Sequence, residues 1–148
     1  MPTVETTTVI HAPIDKVYAI ARDNRSFPDF MEDVKSLTVT EEDGDRIVSD
    51  WVGVVSAFNI KVRWTQEDVW DPGEHTCKFR QLKGDYDKME GTWKLIDMGQ
   101  NMTRFESHVD YEYVVPGLGP LVKKVIHSLV VKNLDSVLAA IKTRAESG

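Results

Sequence analysis

The stretch VIHAPIDKVYAIARDNRSFPDFMEDVKSLTV, residues 9–39, changes its apolar spacing twice and so sets the order of the first elements. The Thr- and Val-rich segment leading into it favours a strand, which ends at Ala12-Pro13. Pro suits the first turn of a helix, and helical spacing follows from Ile14. A second short helix is predicted within residues 26–34, and alternation from Leu37 onward then indicates a strand.

The remainder of the chain alternates with period two and then returns to helical spacing. Turn-forming glycines divide the alternating part into a meander of six strands. One long amphipathic helix is predicted from Leu121 to about Arg144. The predicted fold is α+β: a seven-stranded curved antiparallel sheet wrapped around the long C-terminal helix, with two short helices after the first strand. Residues 1–148 are expected to form a single domain.

The composition is that of an ordinary globular domain, with 41% apolar and 28% charged residues. The formal net charge of −6 and the scattered basic residues argue against a nucleic-acid partner, which requires a basic face. No leader segment is evident, and no apolar run approaches the length of a membrane span. We therefore expect a cytoplasmic protein without stable membrane insertion, and the pattern favours no particular oligomeric state.

The predicted sheet has a hollow face that one helix cannot fill, since a helix is only about 10 Å wide. Large side chains, water or a ligand must occupy the remainder, and small residues such as Gly91 leave room among large ones. A mostly apolar hollow with a few polar groups is typical of a small-molecule site. The residues predicted to form it are Phe27, Phe30, Trp64, Phe79, Met89, Trp93, Phe105, Ser107, Tyr111, Asn133 and Val137.

Asn133 interrupts the apolar stripe of the long helix. The other members of that stripe are Ile126, Val130, Leu134, Val137 and Ile141. A buried Asn without hydrogen-bond partners costs about 1–3 kcal/mol. Two interpretations are open: Asn133 is paired with a strand group or a trapped water, or it is a polar contact that fixes one end of an apolar ligand.

Other polar residues offer no recognisable catalytic or metal-binding arrangement. The four histidines have no metal-ligand spacing, so neither a metal nor a cofactor is expected. Cys77 alternates with Phe79 and is interpreted as a core thiol. The acidic pairs Glu41-Glu42 and Glu67-Asp68 are interpreted as solvated turn and strand-end charges, not as an acid–base couple.

Two further residues of the strands, Arg63 and Trp51, are not assigned to the predicted site. Arg63 is out of phase with the inner residues and is expected to point outward. Trp51 could occupy either face, because its strand is apolar on both. No catalytic residue is assigned.

Several short motifs carry a resemblance to a known family over essentially the whole chain. They are Ala12-Pro13, Val17-Tyr18, Phe27-Pro28, Val34, KVRW at 61–64, Trp70-Asp71, Gly84-Asp85, Gly91-Thr92-Trp93 and the final helix with Asn133. With these motifs the chain resembles the START-like superfamily with the birch-pollen-allergen, or helix-grip, fold. More narrowly, it is similar to the branch labelled polyketide cyclase/dehydrase and lipid transport.

The resemblance implies a choice among functions, because this fold hosts lipid carriers, quinone-binding proteins, polyketide cyclases and ribosome-association toxins. The favoured hypothesis is a carrier or sensor that binds a hydrophobic small molecule such as a lipid, a quinone or a polyketide-like aromatic. The alternative is an aromatase/cyclase or dehydratase acting on a polyketide, with Tyr111 and Ser107 as candidate polar groups. A third hypothesis, an interaction protein like the ribosome-association toxin, fits the acidic net charge poorly.

Overall fold

The structure is a computed structural model and describes residues 3–55, 60–113 and 120–147. Within these residues, seven strands and three α-helices follow one another in the predicted order, with one turn of 3-10 helix at Asn24–Ser26. The elements are β1 (Thr3–Ile10), α1 (Ile14–Arg22), α2 (Phe27–Phe30), β2 (Val34–Asp43), β3 (Arg46–Val55), β4 (Ile60–Asp71), β5 (Thr76–Gly84), β6 (Lys88–Gly99), β7 (Met102–Glu112) and α3 (Pro120–Glu146).

All seven strands form one antiparallel sheet in the order β1-β7-β6-β5-β4-β3-β2. Strands β2 to β7 are therefore a plain meander, while β1 pairs with β7 from Thr3–Asp110 to Ile10–Thr103. The short helices connect the two edges of the sheet, since β1 and β2 are consecutive in sequence but lie at opposite ends of the strand order. The predicted helix-grip architecture is confirmed.

The two short helices differ in how well the sequence pattern predicted them. Helix α1 follows Pro13, whose carbonyl accepts the first helical hydrogen bonds, and it buries Val17 and Ala21. Helix α2 is a single turn that ends at Phe30, whereas the pattern predicted a helix within residues 26–34. The cause is strand pairing: the Asp33 carbonyl already accepts a hydrogen bond from the Val54 amide, and β2 begins one residue later.

The long helix α3 packs against the inner face of the sheet. Its stripe is oriented as predicted at Val130 and Ile141, which are buried, while Leu134 and Val137 are half-buried. Near its C-terminus, Lys142 Nζ donates to the Val9 carbonyl over 2.8 Å and ties the helix to β1. The side chain of Ile126 lies outside the described residues, as do positions 56–59 and 114–119.

The packed core occupies only part of the space between α3 and the sheet. Its fully buried side chains include Ile10, Val17, Phe105 and Ile141, which bring β1, β7, α1 and α3 together. The inner faces of β3 to β6 also border the space that the core leaves open. The space in front of them is the cavity described next.

Candidate functional site

A cavity of about 350 Å³ lies between the inner face of β3–β7, the α2 turn and the middle of α3. Its wall is mostly aromatic and aliphatic, with polar side chains at a few positions. The lining residues are Ala21, Asn24, Phe27, Asp33, Val34, Trp51, Gly53, Val54, Val62, Trp64, Gln66, Asp68, Trp70, Cys77, Phe79, Tyr86, Met89, Trp93, Val109, Tyr111, Tyr113, Val130, Asn133, Leu134 and Val137.

The aromatic wall is built from rings that contact one another across neighbouring strands. Trp51 of β3 stacks on Trp64 of β4, with ring centroids 5.4 Å apart and planes 15° apart. Phe27 of α2 meets the edge of Trp51 at 5.9 Å, and Trp93 of β6 contacts Phe79 of β5 at 5.8 Å. This answers the open question about Trp51: it faces the cavity and is 8% exposed.

Aromatic rings lie close to two glycines of the sheet. A Cβ on Gly53 would lie 3.2 Å from the Trp64 ring, and a Cβ on Gly91 would lie 2.5 Å from the Phe79 ring. The interpretation that Gly91 leaves open space in the hollow was therefore wrong. The Phe79 ring and the His108 carbonyl oxygen occupy that space.

A hydrogen-bonded polar row crosses this aromatic wall along β4. Trp64 Nε1 donates to Gln66 Oε1 over 2.9 Å, and Gln66 Nε2 donates to Asp68 Oδ1 over 2.7 Å. From the far side, Asn24 Nδ2 donates to Asp68 Oδ2 over 3.2 Å. All four side chains line the cavity, so the row places a carboxylate, held on both oxygens, in an apolar wall.

Asp68 is 4% exposed, and burial raises the pKa of its carboxyl to about 6. The two amide donors favour the ionised form and Glu67 opposes it, but desolvation is the largest cause. The sequence interpretation of Glu67-Asp68 as solvated charges was wrong. Glu67, on the opposite face, is held by Arg46 at 2.7 Å and Arg80 at 3.0 Å.

The signal for Asp68 was present in the sequence. Trp64, Gln66, Asp68 and Trp70 have the same parity along one strand, and a strand sends alternate residues to the same face. Assigning Trp64 to the inner face assigns Asp68 to it as well. Asn24 had no comparable signal, because it reaches the cavity only through the irregular turn between α1 and α2.

Trp70 continues this face of β4 beyond Asp68. Its indole Nε1 is buried and, among the described residues, has no hydrogen-bond partner. The ring packs edge-on against Tyr18 at 5.3 Å and Trp93 at 6.4 Å. A buried donor without a partner is costly, so this part of the wall has an unmet demand for an acceptor.

Three tyrosines line the cavity near the N-terminal half of α3. The Tyr111 hydroxyl and His127 Nδ1 are hydrogen-bonded at 2.7 Å, and the two rings are stacked. Burial raises the pKa of Tyr111 and, more strongly, that of Tyr86. Tyr86 and Tyr113 were not predicted. Tyr86 lies in the turn between β5 and β6, where alternation gives no face, and the Gln81 side chain holds its backbone.

Asn133 lies on the cavity wall and is half-buried. Within the described residues its side chain makes no hydrogen bond to a strand group, which was the first of the two interpretations. An amide that borders an apolar space without a protein partner is available to a ligand or to water.

Eight of the predicted site residues line the cavity. They are Phe27, Trp64, Phe79, Met89, Trp93, Tyr111, Asn133 and Val137. Three do not. Phe30 lies in a separate surface depression beside α3, with the Arg144 guanidinium over its ring at 5.3 Å. Phe105 and Ser107 are buried in the packed core. The first half of β7 is covered by that core, whereas the second half borders the cavity.

The remaining predictions about individual residues concern exposure and metal binding. Arg63 is exposed, as predicted, and Cys77 is a core thiol that is 1% exposed. Burial raises the pKa of Cys77 well above its usual range.

In the described part of the chain, no three His, Cys, Asp or Glu side chains converge as a metal site would require. No described helix combines the length and the apolarity needed to cross a bilayer.

Residues 10–138 match the family described as polyketide cyclase/dehydrase and lipid transport. The match covers most of the chain, and the protein belongs to this family, which confirms the START-like resemblance. No curated protein sequence matches the chain significantly.

Solved structures extend the comparison. TTHA0849 from Thermus thermophilus is 34% identical, with a TM-score of 0.91 and 97% of each chain covered. The Zhui aromatase/cyclase from a Streptomyces species is 21% identical, with a TM-score of 0.81 over 99% of this chain and 96% of that one. A START superfamily protein from Mycobacterium smegmatis is 19% identical, with a TM-score of 0.80 and 97% of each chain covered. The similarity to the Zhui aromatase/cyclase and to the START superfamily protein shows a shared fold only.

Proposed function

We propose that this protein binds a hydrophobic small molecule, such as a lipid, a quinone or a polyketide-like aromatic, as a cytoplasmic carrier or sensor. The observation that carries the proposal is the cavity of about 350 Å³ between the sheet and α3. Its volume falls within the range typical of small-molecule sites. Membership of a family described by polyketide cyclisation and lipid transport is consistent with such a ligand.

The composition of the wall supports an apolar ligand with few polar atoms. Each Å² of apolar surface removed from water contributes roughly 25 cal/mol, so an aromatic or aliphatic body supplies most of the binding free energy. The polar side chains of the wall include Asn133 on α3 and the Gln66–Asp68 pair on β4, and the tyrosines add hydroxyl groups. This arrangement favours a ligand with an apolar body that carries one or two polar groups.

The first experiment is native mass spectrometry of the purified protein, followed by organic extraction and identification of any released molecule. A stoichiometric hydrophobic adduct supports the proposal and names the ligand class. The four tryptophans of the chain all line the cavity, so added ligands should also change the intrinsic fluorescence. Binding that leaves this fluorescence unchanged would place the ligand elsewhere.

A pair of variants tests the location. Val137 borders the cavity, and Val137→Phe should fill part of it and weaken binding. The matched control is Val69→Phe, which adds the same side chain at a position 45% exposed. Equal affinity in both variants and the wild type would contradict binding in this cavity.

A second candidate function, an aromatase/cyclase or dehydratase, is favoured by one observation: the buried Asp68 carboxyl with a pKa of about 6 on the cavity wall. A carboxylate of this kind can take a proton from the carbon beside a ligand carbonyl and return it to the alkoxide formed when that carbon attacks a second carbonyl. Incubation with a poly-β-ketone would test it. Turnover that is lost in Asp68→Asn supports the enzyme, and binding without turnover supports the carrier.

A further inference from the structure

Among the described residues, the charges that line the cavity are all of one sign. The carboxylic acids of that wall are Asp33 and Asp68, and its described side chains include no Lys, Arg or His. The donors to the Asp68 carboxylate are neutral amides of Asn24 and Gln66. A buried carboxylate in a protein is normally paired with a cation, and in this wall the described side chains supply none.

The Asp68 carboxylate retains capacity to accept further hydrogen bonds. A carboxylate has about four acceptor sites on its two oxygens, and the two amides use one on each oxygen. Because the same two amides also hold the carboxylate in place, its orientation is fixed before any ligand arrives. Gln66 is held in turn by Trp64. The site is therefore rigid, acidic and incompletely satisfied.

The neighbouring Trp70 is an independent indication that this end of the cavity lacks a polar partner. Its Nε1 is buried and unpartnered among the described side chains, and it lies two residues from Asp68 on the same face of β4. A ligand atom or a water at this end would meet both demands. At Tyr111 the wall does not share this deficit, since the Tyr111 hydroxyl is paired with His127.

We propose that Asp68 receives a hydrogen-bond donor of the ligand, so that the cavity selects aromatic molecules bearing a hydroxyl or amine and rejects carboxylates and phosphates. This inference rests on the proposed ligand-binding function and narrows it. A fatty acid or a phospholipid headgroup would bring a second negative charge beside Asp68 without a cation in the described wall. A phenol or an enol would instead bind the carboxylate through its O–H.

Three naphthalenes of matched size test the proposal by isothermal titration calorimetry at pH 7. They are 2-naphthol, which carries the donor; 2-methoxynaphthalene, in which the donor hydrogen is replaced by methyl; and 2-naphthoate, which is anionic. The wild-type protein should bind the naphthol at least about tenfold more tightly than the methyl ether, because hydrogen bonds to charged groups are the strong ones. The naphthoate should bind more weakly than either.

Two neighbouring carboxylates on opposite faces of β4 provide the variant and its control. In Asp68→Asn the preference for the naphthol should fall to about threefold or less. Glu67→Gln removes a charge one residue away, outside the cavity, and should keep the preference. The ligand series in the wild type is informative even without either variant.

The outcomes separate this inference from the function on which it rests. Binding of the methyl ether and the naphthol with equal affinity would overturn the role of Asp68 and leave the apolar cavity intact. Tight binding of the naphthoate, or a naphthol preference that persists in Asp68→Asn, would overturn it as well. If none of the three compounds binds, the selectivity proposed here fails, while a hydrophobic adduct in native mass spectrometry would still support the proposed function.

Discussion

Gln66 Nε2 donates a hydrogen bond to Asp68 Oδ1 over 2.7 Å, and both side chains lie on the cavity face of β4. The relationship joins two residues that alternate along one strand, so the backbone itself sets their separation. It gives a buried carboxylate a neutral donor in place of a cation. The ionised form of Asp68 is then accessible near neutral pH in spite of burial.

The pKa of Asp68 should respond in opposite directions to changes at Gln66 and Glu67, the two residues that precede it. Gln66→Leu removes a donor that favours the ionised form, so the pKa should rise above about 6. Glu67→Gln removes a negative charge that opposes ionisation, so the pKa should fall. Carboxyl 13C NMR titration of the Asp68 side chain measures both. Shifts of the same sign in the two variants would contradict the hydrogen-bonded arrangement.

The ionisation of Asp68 should make the folded protein less stable as the pH rises, whereas an ion-paired acid makes it more stable. Its folded-state pKa is about 6, above the ordinary value of 3.8, so the folded protein holds the proton more tightly than the unfolded chain. The stabilising contribution of the protonated form is present below about pH 4 and is lost as the pH rises to about 6. Relative to the wild type, Asp68→Asn should gain up to about 3 kcal/mol in unfolding free energy between about pH 4 and about pH 7.

Urea unfolding at several pH values measures this difference. Asp110→Asn is the control, because a hydrogen bond from Thr3 lowers the pKa of Asp110. Its contribution is present above the unfolded pKa and is lost as the pH falls. A pH-independent difference between Asp68→Asn and the wild type would show that Asp68 is not buried in the folded protein.

Asn133→Leu should separate binding from folding. Asn133 borders the cavity and has no side-chain hydrogen bond within the described residues, so Leu should raise the unfolding free energy by about 1 kcal/mol. Retention of a ligand with a polar group should weaken at the same time. Thermal unfolding and titration of the same ligand into both proteins measure the two effects.

Ser128→Leu, at an exposed position of α3, is the matched control for adding a leucine to this helix. It should leave ligand affinity unchanged. Plain destabilisation of Asn133→Leu, with affinity retained, would favour the interpretation of Asn133 as a structural residue.

Gly91→Ala should destabilise the protein by about 1–3 kcal/mol, in the range of other overpacked sites. The added Cβ would overlap the His108 carbonyl oxygen and lie 2.5 Å from the Phe79 ring. The backbone contact leaves little freedom to relax. Gly73→Ala is the comparison, because its nearest neighbour would be at 3.4 Å. If chemical denaturation gives the two variants the same unfolding free energy, β6 must have moved away from Phe79 and His108 at Gly91.

The element order was predictable from the chain because it depends on local periodicity. The long helix α3 was predicted to within two residues at each end. The α2 turn lies within the predicted residues 26–34 but ends already at Phe30. There the helical spacing of apolar residues competed with a backbone hydrogen bond between Asp33 and Val54, which local sequence does not reveal.

The site was predictable where alternation alone assigns a face, as at Trp64, Phe79 and Met89. It was missed where a residue reaches the cavity from a turn, as Asn24 and Tyr86 do, and at Asp68, which was interpreted as a solvated charge. Phe105 shares the parity of Tyr111 on β7, yet only Tyr111 lines the cavity. Parity tells which side of a strand a residue occupies but not how much of that side the helix covers.

The sequence by itself determined the elements, their order, the two faces of the sheet and the family, because propensity and periodicity are properties of neighbouring residues. Only the tertiary structure decided where the hollow lies, which half of β7 is sealed, and that Asp68 is buried between two amides, one of them from a distant part of the chain. Burial and desolvation depend on what packs against a residue from elsewhere in the chain, and these are the quantities that turn an acid on a strand into a candidate binding group.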